Sequence, residues 1–150
     1  MVKVHTMKMI EHFGDSYPNV TAHANMINGA LVGLTYTGSS KVTKAPATGE
    51  ELYIVLNTQE GDAEYDLTYP IAQGEYVNLF ALSKWVGMEL DVTKENVTGT
   101  FANIAVGDTL TFDTTTFKFK EDSATAGDIC FKVTALTAVG VRVLVQVAAA

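Results

Sequence analysis

The sequence predicts an all-β protein, either a single antiparallel β-barrel or a β-sandwich domain, with an N-terminal arm. Three observations predict this class: Thr and Val are abundant, short apolar runs alternate with turn residues, and no helical pattern of useful length separates the runs. β-branched residues suit a pleated sheet, and short strands at regular spacing are typical of barrels and sandwiches. A chain of 150 residues is also long enough to bury a core without metals or disulfides.

From residue 29 onward the chain reads as strands separated by turns. The predicted strands are 30–37, 51–58, 65–71, 75–82, 88–92, 108–113, 117–120, 129–136 and 139–147. The strand at 51–58 has an almost continuous apolar run, which indicates burial on both faces. The polar stretch 38–50 reads as a loop or an exposed edge. Residues 113–116 are expected to connect a hairpin in which Phe117 and Phe119 point inward.

The last two predicted strands show the clearest alternation. Four valines of 139–147 fall on one face of the strand: Val141, Val143, Val145 and Val147. A slip of one residue would turn all of them toward water, so the pairing of 129–136 with 139–147 is strongly specified.

Residues 1–28 are predicted to be an arm or appendage, separate from the β domain at 29–150. They hold all three histidines and four of the five methionines, and they lack sustained alternation. Met7, Ile10 and Phe13 could share one face of a short helix. Equally, the segment could become ordered only against a partner.

Composition argues against several classes of partner. The net charge is −7 and the only arginine is Arg142, so the chain lacks the basic surface that neutralises nucleic-acid phosphates or anionic membranes. No stretch approaches the length of a membrane span, and no secretion signal is visible. Cys130, the single cysteine, cannot form an internal disulfide and is expected to be a buried, unreactive thiol.

Two groups of residues carry types that can bind metals. The histidines and one glutamate lie early in the chain, at His5, Glu11, His12 and His23. No pair of these histidines has the i, i+4 spacing that puts two imidazoles on one helix face. The acidic alternation at Asp62, Glu64 and Asp66 lacks the later glycine and glutamate of a calcium loop. We therefore expect no metal site.

Catalytic motifs are missing as well. No serine lies in a GxSxG elbow, and no glycine pattern of a phosphate-binding loop is present. The sequence therefore predicts no catalytic residue, no cofactor and no enzymatic role.

Trp85 is the only tryptophan, and Tyr76 and Phe80 precede it closely. Tryptophan and tyrosine are favoured anchors at interfaces and sugar sites, but a tryptophan here could equally plug one end of a barrel. The predicted protein-binding residues are Met7, Ile10, Phe13, Tyr17 and Trp85.

Four stretches suggest a family: 20–32, 74–77, 86–92 and 104–110. In their order and style the chain resembles the small auxiliary head proteins of tailed bacteriophages, the capsid decoration or cement proteins. The resemblance covers roughly two-thirds of the chain through short, degenerate pieces. It implies a β-barrel or sandwich on the outer face of a capsid, with no catalytic residues to transfer.

The resemblance implies a non-enzymatic virion structural protein that binds and stabilises the capsid exterior. Its partner would be the lattice of the major capsid protein, where it would form a homo-oligomer after synthesis in the host cytoplasm. Neither nucleic acid nor membrane is an expected partner. The alternative is a carbohydrate- or receptor-binding β-module of a tail or head fibre, using Trp85 and nearby tyrosines.

Overall fold

The computed structural model describes residues 3–4, 17–38, 40–57 and 69–150. Within these ranges the regular structure is β strand with three short 3-10 helices, so the predicted all-β class is confirmed. No described helix is long and apolar enough to cross a membrane.

The strands are β1 (Lys3–Val4), β2 (Tyr17–Thr21), β3 (Met26–Ile27), β4 (Leu31–Thr37), β5 (Ser40–Lys44), β6 (Tyr53–Val55), β7 (Pro70–Ile71), β8 (Tyr76–Ala81), β9 (Glu89–Thr93), β10 (Val97–Thr98), β11 (Thr109–Phe112), β12 (Phe119–Glu121), β13 (Ile129–Leu136) and β14 (Gly140–Val147). The 3-10 helices are η1 (Leu82–Trp85), η2 (Lys94–Asn96) and η3 (Phe101–Asn103).

Five strands close into a barrel in the order β2-β5-β4-β6-β8. Most neighbours are antiparallel, but β2 and β5 run parallel. The prediction of a loop or exposed edge at 38–50 is therefore wrong for β5. Val42 lies beside Thr35 of β4 on one side and Thr21 of β2 on the other. A polar sequence can form this strand of the barrel because only Thr43 of β5 is buried, while its other side chains are half-buried or exposed.

The other large sheet has seven strands in the order β1-β9-β14-β13-β11-β12-β10. The β13–β14 pairing predicted from the valine pattern is confirmed, with Val133 opposite Val143. Val141, Val143 and Val145 are fully buried, whereas Val147 at the end of the strand is half exposed. A two-stranded ribbon of β3 and β7 completes the fold.

Two apolar cores hold these sheets. The barrel core fills the inside of the barrel and includes Val20, Val55 and Leu79. The sheet core lies between the outer wall of the barrel and the seven-stranded sheet. Leu31 and Ile54 pair across β4 and β6 and belong to the sheet core, so they point away from the barrel interior. The predicted burial of 51–58 on both faces is confirmed for 52–56, because this part of the wall separates the two cores.

The predicted hairpin near residues 113–116 exists, but its two phenylalanines separate. Phe119 lies in β12, belongs to the sheet core and packs edge-on against Phe131 with ring centroids 4.7 Å apart. Phe117 precedes the strand at φ 61° and packs into the barrel core instead. Both rings are buried as predicted, but the assignment of Phe117 to the strand is wrong because its backbone leaves the extended conformation.

The predicted boundary at residue 28 is also wrong. β2 is a wall of the barrel and β3 pairs with β7, so residues 17–28 are part of the β domain. Val20, Ala22 and Met26 are buried in the barrel core. The remainder of the predicted arm, residues 5–16, lies outside the described residues.

Asparagine side chains connect the barrel to the sheet. The side chain of Asn96, the last residue of η2, donates to the Asn28 carbonyl at 3.0 Å and accepts from the Thr93 hydroxyl at 3.0 Å. Asn28 in turn bonds the backbone of Asn57 beyond β6. Because Asn28 and Asn96 are buried, these bonds satisfy polar groups that water does not reach.

Candidate functional site

Of the five predicted binding residues, the structure describes only Trp85 and the backbone of Tyr17. Met7, Ile10 and Phe13 lie outside the described residues, and the backbone of Tyr17 begins β2 opposite Leu79. Trp85 in η1 is 0% exposed and packs in the sheet core, 5.7 Å from the ring of Phe80. Its indole therefore offers no surface to a partner or a sugar in this conformation, which agrees with a packing role.

Among the described residues, Cys130 and His23 have the side chains with the greatest potential for chemistry, and both have structural roles. Burial raises the pKa of the Cys130 thiol above its ordinary value, which disfavours the reactive thiolate. Burial lowers the pKa of His23, whose Nδ1 lies 2.7 Å from the Thr43 hydroxyl and whose ring packs edge-on against Phe117. His23 therefore helps to hold the barrel core at Thr43 and Phe117.

Several carboxylates stabilise turns instead of forming acid–base pairs. Asp108 accepts the Ala105 N–H at 2.7 Å, and Asp113 accepts both the N–H and the hydroxyl of Thr116. The Thr116 hydroxyl is the largest cause of the lowered pKa of Asp113. Among the described residues, no three His, Cys, Asp or Glu side chains gather as a metal site would require. Asp62, Glu64 and Asp66 lie outside those residues.

A cleft of about 400 Å³ lies between the loop before β6 and the loop before β13. Val86 and Val147 form part of its wall, and the Asp128 carboxylate accepts the Gly49 N–H at 2.9 Å. The Ser83 hydroxyl at this cleft donates to the Glu51 carboxylate. Among the described residues, the partner of this serine is a carboxylate and not the imidazole that a serine nucleophile is paired with.

A second surface is apolar and exposed. Val106, Leu136 and Val139 are 61%, 57% and 64% exposed, and we call these three residues the aliphatic rim. Leu136 ends β13, Val139 directly precedes β14 and Val106 lies in the turn before β11, so all three are at one end of the seven-stranded sheet. The turn after Val106 is attached to β13 through the Gly107 N–H and the Val133 carbonyl at 2.8 Å. Leu136 and Val139 flank the turn between β13 and β14.

The rim adjoins one edge of the sheet. The Val139 carbonyl accepts the Lys94 N–H at 3.1 Å, directly after β9 ends. In the part of the chain that the structure describes, β1 pairs with the outer edge of β9 through Lys3 beside Asp91 and Val4 beside Leu90. Because the pair is antiparallel, the beginning of β1 lies toward the rim. β1 stands at the end of the strand order of this sheet, and a strand at a sheet edge can be extended by a strand of a partner protein.

Sequence reasoning missed the rim. Nothing in the sequence pattern shows that Leu136 and Val139 remain exposed at the same end of the sheet as Val106. The exposed aromatic residues lie elsewhere, on and beside the barrel strands and the ribbon: Tyr36, Tyr69 and Tyr76.

Comparisons with protein families, with curated proteins and with solved structures find no match to this chain.

Proposed function

We propose that this protein is a non-enzymatic decoration protein that binds and stabilises the outer surface of a tailed-phage capsid. The observation that carries the proposal is the aliphatic rim beside the sheet edge covered by β1. Exposed apolar groups next to the edge strand of a sheet are suited to docking on another protein. The resemblance of the chain to capsid decoration proteins implies that this other protein is the major capsid protein.

Docking through the rim would bury three aliphatic side chains and leave the acidic body in water. The carboxylates of Asp108 and Asp113 bond to turns and the described thiol is buried, so these groups offer no support for a catalytic role. Repeated binding sites on a capsid would place many copies side by side, and contacts between copies would increase the effective affinity. The protein would then act as a homo-oligomer on the exterior of the virion.

The test is co-sedimentation of the purified protein with mature heads of the phage that carries it. The intact protein is expected to bind saturably. The double variant Leu136→Asp with Val139→Asp is expected to bind at least about tenfold more weakly, because a charge in an apolar contact loses more than 1.4 kcal/mol. The matched control is Val86→Asp with Val147→Asp, which changes two half-exposed valines at the cleft and should bind as the intact protein does.

A second variant separates the strand edge from the rim. Deleting residues 1–16 removes β1 and uncovers β9, while β2 and the rim remain. If both features contribute, this deletion and the rim variant each weaken binding. Saturable binding that neither change affects would contradict the proposed surface, and no binding by the intact protein would contradict the decoration role.

The alternative, a carbohydrate-binding module, now depends on tyrosines and not on Trp85. Tyr76 is 73% exposed at the beginning of β8, and Tyr36 is 64% exposed near the end of β4. Exposed aromatic rings are suited to stacking on sugars. A selective hit on a glycan array that Tyr76→Ala abolishes would favour this alternative over capsid binding.

A further inference from the structure

Asn28 and Gly29 form a dipeptide with its own chemistry. Asn28 is the only asparagine of this chain that glycine follows. In such a pair the backbone nitrogen of the glycine can attack the side-chain carbon Cγ of the asparagine, because glycine has no Cβ to hinder the approach. A five-membered succinimide forms and the side-chain nitrogen leaves as ammonia. Water then opens the ring to aspartate or isoaspartate.

The fold holds both reacting groups away from this reaction. The Gly29 N–H, which must attack, donates to the Val55 carbonyl at 2.7 Å. The Asn28 side chain, which must turn toward it, donates from Nδ2 to the Asn57 carbonyl and accepts the Asn57 N–H, both at 2.7 Å. Cyclisation would break all three hydrogen bonds.

The surrounding backbone is fixed as well. The Asn28 N–H donates to the Tyr69 carbonyl at 2.8 Å, and the Asn28 carbonyl accepts from Asn96 at 3.0 Å. Asn28 is 0% exposed, so the water that would open the ring is excluded. Gly29 lies at φ 89°, a conformation that other residues adopt only with strain, so this turn favours glycine after Asn28.

We propose that Asn28–Gly29 is a modification site that is protected in the folded protein and reactive in the unfolded chain. In the unfolded chain Asn28 converts to aspartate or isoaspartate, and the converted chain no longer refolds to the native state. Aspartate would place a buried carboxylate against the Asn57 carbonyl, where an N–H now donates. Isoaspartate would add a methylene to the backbone and move the Gly29 N–H away from Val55. Chains that stay unfolded are thereby removed from the functional pool.

The test compares the full-length protein in buffer and in concentrated urea at the same mildly alkaline pH. Peptide mapping by mass spectrometry follows the replacement of the side-chain NH₂ by OH at each asparagine. In urea, Asn28 is expected to convert first. In buffer, its conversion should be slower by about a thousandfold or more, because only the small unfolded fraction reacts. Asn103, which is exposed and precedes Ile104, is the internal reference.

Refolding after timed incubation in urea tests the consequence. Trp85, the single tryptophan and fully buried, reports recovery of the core by its fluorescence. The recovered fraction should fall in step with conversion of Asn28, and a freshly made Asn28→Asp variant should show the same loss. Conversion of Asn28 in buffer as fast as in urea would overturn the proposed protection. Full refolding of converted chains would overturn the proposed consequence.

Discussion

The barrel and the seven-stranded sheet differ in whether they have strand edges. The barrel closes on itself and leaves no free edge, whereas the seven-stranded sheet ends at β1 on one side and at β10 on the other in the described part of the chain. The aliphatic rim also belongs to the sheet and lies beside the β1 edge. The strands of the barrel therefore leave no edge for pairing, and the sheet carries the surface that we propose for docking.

Their cores differ in a related way. The barrel core is lined by the barrel strands with nearby loops and the ribbon, while the sheet core takes side chains from both units. Strand β6 contributes to both, with Tyr53 and Val55 inside the barrel and Ile54 facing the sheet. Damage to the sheet should therefore weaken the barrel wall, whereas damage inside the barrel should have a more local effect. Three changes test this difference.

The largest effect is expected from Val143→Asp in the sheet core. The residue is 0% exposed, and an unpaired carboxylate there should cost more than about 4 kcal/mol of the free energy of unfolding, enough to remove cooperative folding of both units. Thermal unfolding followed by circular dichroism measures it. Val147→Asp on the same strand is the control, because Val147 is half exposed. A barrel that still melts cooperatively in the Val143 variant would show that the two cores are independent.

An intermediate effect is expected at the junction. Asn96→Ala removes the hydrogen bonds to the Asn28 carbonyl and the Thr93 hydroxyl and should lower the free energy of unfolding by about 1–3 kcal/mol. Urea denaturation of this variant and of Asn103→Ala, which changes an exposed asparagine, gives the comparison. Equal midpoints for the two variants would mean that the junction bonds contribute nothing to stability.

The smallest effect is expected from His23 at the barrel core. Burial lowers the pKa of His23 below the ordinary 6.5, so the unfolded chain binds the proton more readily as the pH falls through that value. Stability associated with neutral His23 is present above pH 6.5 and is lost as the pH falls toward the folded-state pKa. The Tm of the intact protein should therefore fall more steeply below that pH than the Tm of His23→Gln. His5 and His12 are present in both proteins, so parallel curves would contradict this role of His23.

Local patterns predicted much of the fold. Strands β4, β13 and β14 lie within two residues of their predicted bounds, because each has a long alternation or apolar run. β5 could not be predicted in the same way, since Ser40–Lys44 has one buried side chain and its role depends on β2 and β4 on either side. Phe117 shows a related limit. Its alternation with Phe119 suggested one strand, but the positive φ sends its ring into the other core.

Local sequence patterns predicted the candidate site less well than the fold. Tryptophan is a residue type that is favoured at binding sites, so the sequence suggested Trp85 as a binding residue. Only its packing beside Phe80 in the sheet core shows that it is buried. In the sequence, Leu136 and Val139 look like any apolar residues near the end of a strand. The structure shows that both are exposed at the end of the sheet where Val106 is also exposed. Exposure depends on which elements cover a residue, so it cannot be obtained from a pattern along one strand.

The sequence by itself determined the all-β class, the strongest strands and the register of the last hairpin, because side-chain alternation and turn chemistry act over neighbouring residues. The tertiary structure alone decided that residues 17–28 belong to the β domain, that the barrel closes through a polar strand, and which apolar side chains remain exposed. These features arise from contacts between residues far apart in the chain, where the pairing of one strand depends on the positions of all its neighbours.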